Sequence, residues 1–354
     1  MSNRVLSFLI LATLTLAGAS SCQKDLTGKQ IRISGRTGID RQQTKTSYSG
    51  QTYYENSTLY ERIDWVSGDQ IKIAMKNNDI SSDTQVYQVN NIYSRGRYSL
   101  AGLDPVGDAH GAGHGLMWGT GTHDFWAAYP ATATFGDHFV SSVIPATQEL
   151  HYKTKSNGIL YFEPDMTTAL LVAGLQQAPS DTGISLDFYP AVTTFEFTVG
   201  ANSDIVITGF EMETESYSDT DPEPSDYILT GDVQASFNPA SGMSRTITGS
   251  GDGQRITADF SGTAAISTST SVSFKLFAIP KNIKGIRIIF TLSDDQIRYL
   301  DLKTTSPDEF ITFNACSLVR ISGLLIPGTI WHIYMDGPRV EQWEIHPDIK
   351  FGVE

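Results

Sequence analysis

The chain has 354 residues, 40% hydrophobic and 18% charged, with a mean hydropathy of −0.17 and a formal net charge of −14. This balance describes a folded acidic protein and excludes a disordered one, and it excludes nucleic acid and anionic lipid as partners, since both need clustered Lys and Arg. Two cysteines cannot build a disulfide scaffold.

Residues 1–21 read as an export signal. Arg4 supplies a positive start, Val5 to Ala17 is an apolar run, and Gly18-Ala19-Ser20-Ser21 is a platform of small residues. A membrane-spanning helix needs about 20 apolar residues and would not end in such a platform. Cys22 closes the platform and resembles the acceptor of a bacterial lipoprotein signal, whose thiol is diacylated; Ala19 stands where that pattern prefers Leu. Each buried CH₂ of an acyl chain contributes about 0.8 kcal/mol, so such an anchor would be stable. Gln23-Lys24-Asp25 looks like the short export tag of surface lipoproteins.

Residues 22–50 are a polar leader and tether carrying Arg32, Arg36 and Arg41, exposed and open to cleavage. Within it Ile31 and Ile33 alternate with polar neighbours as a short strand would. From Glu61 the pattern becomes short runs of period two. Ile71, Ile73 and Met75 follow the turn signal Ser67-Gly68-Asp69, and further strands are expected over 85–89, 97–100, 125–129 and 158–162. Residues 165–174 suit a short helix or an extended segment equally. The stretch 176–182, with Pro179, Ser180 and Asp181, is the expected boundary between a first unit, 51–180, and a second, 181–330.

Alternation resumes at Ile184, Leu186 and Phe188, then at Phe195, Phe197 and Val199, and at Ile205 and Ile207. An acidic loop with Pro222 and Pro224 precedes two clear strands, Val272 to Ala278 and Ile286 to Leu292. Many short strands with frequent turns and little helical periodicity make the chain all-β, in paired β-sandwiches. Residues 331–354 read as a hairpin turning at Asp336-Gly337, followed by a last strand in which Ile349, Phe351 and Val353 share one face. An apolar terminal strand must bury that face, in its own domain or in a neighbour's sheet.

No cofactor, metal or catalytic set is expected. His110 and His114 lie among glycines that oppose a helix, and 249–253 is glycine-rich turn material without phosphate-loop spacing. Asp219, Asp221, Glu223 and Asp226 lack the spacing of a Ca²⁺ loop. Cys316 reads as a small buried hydrophobe, and the five tryptophans read mainly as packing residues, with a sugar-stacking platform as the functional alternative.

Ile63-Asp64-Trp65 ahead of Ser67-Gly68-Asp69-Gln70-Ile71, Trp126-Ala127-Ala128-Tyr129-Pro130, Leu276-Phe277-Ala278-Ile279-Pro280, and Trp331-His332-Ile333-Tyr334 with Val340-Glu341-Gln342-Trp343 resemble, in that order, landmarks of the fimbrillin family, the type V pilins. The resemblance spans nearly the whole chain. It implies two tandem transthyretin-like β-sandwiches, a lipoprotein precursor on the outer membrane lipidated at Cys22, and cleavage by an Arg-specific protease at Arg36 or Arg41, with Arg36 slightly preferred. Ile31 and Ile33 would belong to the discarded strand. Ile349, Phe351 and Val353 would be the plugs of a donor strand that fills the opened groove of the adjoining subunit. Cleavage after Arg41 removes six basic and two acidic residues, taking the net charge from −14 to −18. Other fimbrial subunits, a surface ligand and a cell-surface location follow as expectations. The alternatives are a tip or anchor subunit, or a monomeric glycan-binding surface lipoprotein.

Overall fold

The computed structural model describes residues 26–37, 48–55, 58–77, 82–95, 98–107, 115–214, 228–293, 297–303, 311–325 and 334–336. In chain order they form β1 (Ile33–Thr37), β2 (Tyr48–Glu55), β3 (Thr58–Ile63), β4 (Gln70–Lys76), β5 (Asp83–Arg95), β6 (Tyr98–Pro105), β7 (His123–Tyr129), β8 (Thr134–Gly136), β9 (Phe139–Ile144), β10 (Thr147–Ser156), β11 (Ile159–Pro164), β12 (Leu171–Gln177) and β13 (Ile184–Pro190). Then come β14 (Thr193–Ala201), β15 (Ile205–Thr214), β16 (Thr230–Asn238), β17 (Ser244–Gly253), β18 (Arg255–Phe260), β19 (Ala264–Ile266), β20 (Ser271–Ala278), β21 (Asn282–Ile283), β22 (Gly285–Leu292), β23 (Ile297–Lys303), β24 (Ile311–Thr312), β25 (Ser317–Leu325) and β26 (Tyr334–Asp336). The fold is all-β, as its period-two patterning requires.

Seven strands close into a barrel in the order β1, β13, β12, β7, β4, β5, β6, and β6 returns to β1. Its interior is built by alternation: Ile71, Ile73 and Met75 of β4 meet Tyr87 and Val89 of β5, Phe125 and Ala127 of β7, and Leu186 and Phe188 of β13. The opposite face of β4, β7 and β12 is apolar as well. Ala74, Trp126, Ala128 and Val172 pack against Val140 and Ile144 of β9 and Val233, Ala235 and Phe237 of β16. These belong to a four-stranded sheet, β17-β16-β9-β8, that covers this side of the barrel.

The largest sheet runs β23-β22-β15-β18-β10-β11-β20-β14-β25-β26, with β19 also paired to β15. It rolls onto its own apolar face. Phe210 of β15 lies 4.8 Å by ring centroids from both Phe197 of β14 and Phe274 of β20, although β15 and β14 are far apart in strand order. Its other face carries a buried charge cluster on directly opposed residues: Lys275 Nζ lies 2.9 Å and Arg320 Nε 2.5 Å from the carboxylate of Glu196. Burial alone would raise the Glu196 pKa, but the two cations outweigh it and hold the carboxyl below its ordinary value.

The expected boundary at 180/181 does not part the sheets. β13 lies beyond it yet pairs with β12 and β1 in the barrel, while β10 and β11 lie before it yet belong to the large sheet. Pro179 to Thr182 therefore connects two antiparallel barrel strands, and the chain passes to the large sheet between Pro190 and Thr193. Turn residues mark a connection, and only pairing decides which sheet the next strand joins. Residues 249–253 also differ from expectation: they complete β17, an antiparallel partner of β16 with a register shift at Thr230/Asp232. Gly249 is needed there, since a Cβ would sit 1.8 Å from Cγ2 of Ile279. The open question over 165–174 resolves into a single 3₁₀ turn, Met166–Thr168, leading into β12.

The Glu196 cluster predicts a pH dependence. Its folded pKa is depressed, so its stabilisation is fully present above the unfolded value, about 4.3, and is lost as pH falls through the folded one. Urea unfolding should find Glu196→Gln less stable by about 3 kcal/mol at pH 7. The gap from the parent should shrink towards pH 3; a constant gap would contradict the assignment.

Candidate functional site

β1 completes the barrel wall. It lies parallel to β13, pairing Ile33 with Ile184 through Thr37 with Phe188, and antiparallel to β6, pairing Ile33 with Leu103 through Thr37 with Ser99. Ile33, Gly35 and Thr37 face the buried interior and Ser34 and Arg36 face outward. The Thr37 hydroxyl is buried and lies 3.0 Å from the carbonyl of Ile63 and 3.3 Å from that of Ser99. Gly35 places no side chain in the core, and a Cβ there would be 3.4 Å from Phe188 and 3.7 Å from Trp65.

The residues before β1 are docked too. Leu26 and Ile31 are buried in the barrel core, and the backbone pairs with the 116–118 segment: Gly28 N donates to Trp118 O at 2.7 Å, Ile31 N to Leu116 O at 2.9 Å, and Trp118 N to Lys29 O at 2.9 Å. Gly183 lets Arg32 approach. Its φ is +77°, a Cβ would lie 2.1 Å from Arg32 O, and that carbonyl accepts from Ile184 N at 2.9 Å.

On the outside, Arg36 makes a bidentate ion pair with Asp187, directly opposite on β13: Nε donates to Oδ1 at 2.7 Å and Nη2 to Oδ2 at 3.0 Å. Both side chains are about one-third exposed, 33% and 32%, so solvent screens the pair. The carboxylate was not singled out from sequence. The available signal was its place in Ile184 to Phe188, where it is the one charge on the polar side of a strand.

The structure thus brings Ile31, Ile33 and Arg36 together, with the strand running two to three residues later than the Ile31 start expected from alternation. Cys22, Arg41, Ile349, Phe351 and Val353 lie outside the described residues, as do His110, His114, the acidic 219–226 cluster, Trp331 and Trp343. Trp65, Trp118 and Trp126 are buried. Cys316 is only half-buried and adopts a left-handed backbone, φ 62°. Its thiol donates to Pro190 O at 2.9 Å, and burial pushes its pKa up to about 11, which leaves little thiolate at neutral pH.

No protein-family model matches the chain, and no curated protein matches it in sequence. Among solved structures it is similar to a candidate cell adhesion protein of Bacteroides uniformis, at TM-score 0.52 and 13% identity over 88% of this chain and 97% of the other. It is also similar to one of Bacteroides ovatus, at TM-score 0.50 and 11% identity over 90% and 99%. At such identities the shared property is the fold.

Apolar burial, more than the ion pair, should hold the leader. In the intact chain, Ile33→Ala should cost about 2–4 kcal/mol in urea unfolding. A double-mutant cycle on Arg36 and Asp187 should give a coupling below about 1 kcal/mol. The reverse ranking would show that the strand is held electrostatically.

Proposed function

We propose that this chain is a structural subunit of surface fimbriae, exported as a lipoprotein, in which proteolytic loss of β1 creates the site that the C-terminal strand of a second copy fills. The observation that carries the reading is the position of β1: a strand supplied by an arginine-bearing leader closes a barrel that is otherwise built from residues 70–190. Without it, β6 and β13 become facing unpaired edges and the core around Leu103, Leu186 and Phe188 opens between them. Exposed edges template pairing, and their backbone groups need partners.

Energetics support exchange after a cut. Leu26, Ile31 and Ile33 each bury an aliphatic side chain worth roughly 1.5–3 kcal/mol, so the uncut leader stays in place. A cut turns the leader into a separate peptide and removes the advantage of being tethered. Within β1 itself the inward residues are Ile33, Gly35 and Thr37, whereas the terminal strand offers Ile349, Phe351 and Val353. Larger apolar side chains bury more surface, at about 25 cal/mol per Å², once the rings around Gly35 shift.

Cleavage after Arg41 fits this geometry better than cleavage after Arg36. Arg36 is inside β1, in ladders on both sides and ion-paired, and a protease acts on an extended unpaired segment. Arg41 follows the strand, and cutting there releases the whole of β1 with the lipid at Cys22. The reading is structural rather than enzymatic, and the candidate cell adhesion proteins that share the fold agree with a role at the cell surface. A glycan-stacking monomer loses Trp65, Trp118 and Trp126 as a platform, because all three are interior.

N-terminal sequencing of sheared surface material should find Gln42 as the first residue of SDS-resistant ladders, and a chain ending at Asp348 should yield monomers only. Acylated Cys22 on a monomer as the sole product would contradict the proposal.

A further inference from the structure

Deepening the strand-exchange reading and resting on it, we propose that Asp187 is a specificity determinant of the groove and that it recognises Lys350 of the incoming C-terminal strand. Among the described residues Arg36 is the one cation bonded to Asp187, and it belongs to the departing strand. Its loss leaves a carboxylate on the rim of an apolar groove, on the outward side of β13, beside the edge that the new strand must pair with. A carboxylate so placed favours a strand with a cation at the matching outward position and penalises an anion there.

The terminal sequence offers that cation. Ile349, Phe351 and Val353 alternate with Lys350 and Gly352, as Ile33, Gly35 and Thr37 alternate with Ser34 and Arg36. Between Arg339 and Glu354 the charged residues are Glu341, Glu344, Asp348, Lys350 and Glu354, so Lys350 is the single Lys or Arg in an acidic stretch. With the apolar residues turned inward and Phe351 at the level of Gly35, Lys350 takes the place of Arg36 if the new strand runs opposite to β1. It takes the place of Ser34 if the strand runs the same way. From the first place it faces Asp187 directly. From the second it reaches Asp187 along the diagonal, about 7–8 Å between backbones and within the span of a lysine. An acidic chain gains selectivity from this arrangement, because Asp and Glu outnumber Lys and Arg 39 to 25 and a carboxylate brought to Asp187 is repelled.

The test follows polymer growth of the full-length chain after cleavage by an Arg-specific protease, with rates normalised to the cleaved fraction and melting curves confirming that each variant is folded. Lys350→Glu and Asp187→Lys should each slow ladder formation by about tenfold, and the double variant should recover most of the parent rate. Asp187→Asn, which keeps the shape of the site, should remove most of the salt dependence of the parent rate. Parent-like rates in both single variants, or a double variant no faster than the slower single one, would overturn the proposal. If those charge changes have no effect while deletion of 349–354 still abolishes polymers, only the role of Asp187 fails. If the deletion leaves polymers intact, the exchange reading itself fails.

Discussion

A closed barrel has no edge strand, and this one is closed by the segment of chain that sequence marks as a leader. β1 satisfies backbone groups of β6 and β13 at once while Ile33 and Thr37 complete the interior. Everything else in the first half of the fold presupposes that closure: the core reaches from Trp65 to Phe188, and the far wall is already committed, because β4, β7 and β12 are buried on both faces. In the proposed exchange, β1 is the strand that leaves the barrel wall, and it is the strand next to the arginines.

The rest of the molecule packs around the barrel that holds that strand. The four-stranded sheet presses on the back of the barrel, and the large sheet rolls around a phenylalanine-rich core that includes Phe197, Phe210 and Phe274. The chain weaves between these layers, leaving the barrel for β8 to β11, returning for β12 and β13, and leaving again at Pro190. Such interleaving ties the layers together, so loss of β1 need not unfold its neighbours. The proposed exchange depends on these layers holding together when β1 leaves.

Much of the fold was legible because period-two patterning is a local property. Ile71, Ile73 and Met75 announce β4, and Phe195, Phe197 and Val199 announce β14, since one face of each strand must be buried wherever the strand pairs. Pairing itself is not local, which is why Pro179 to Thr182 looked like a boundary and proved to be a connection within the barrel. Polar edge strands such as β17 were missed for the complementary reason: with little apolar surface to bury, they carry no alternation, and Gly249 is present because Ile279 needs its space. The site was half visible. Ile31, Ile33 and Arg36 could be marked from composition, whereas Asp187, 151 residues away, could be matched to Arg36 only through the parallel ladder.

In the proposed exchange β1 must leave before a second copy can join, and a reversible lock on β1 probes that step. Arg36 and Leu100 face each other across β1 and β6, and opposed residues of antiparallel strands lie at Cα separations of about 4.5–5.5 Å, within the range of a disulfide. In a chain with Cys22 and Cys316 replaced by Ser, Arg36→Cys with Leu100→Cys should be cleaved at Arg41 yet stay monomeric while oxidised, and should form ladders on addition of reductant. Ladders of equal length and rate in the oxidised protein would mean that subunits join with β1 in place.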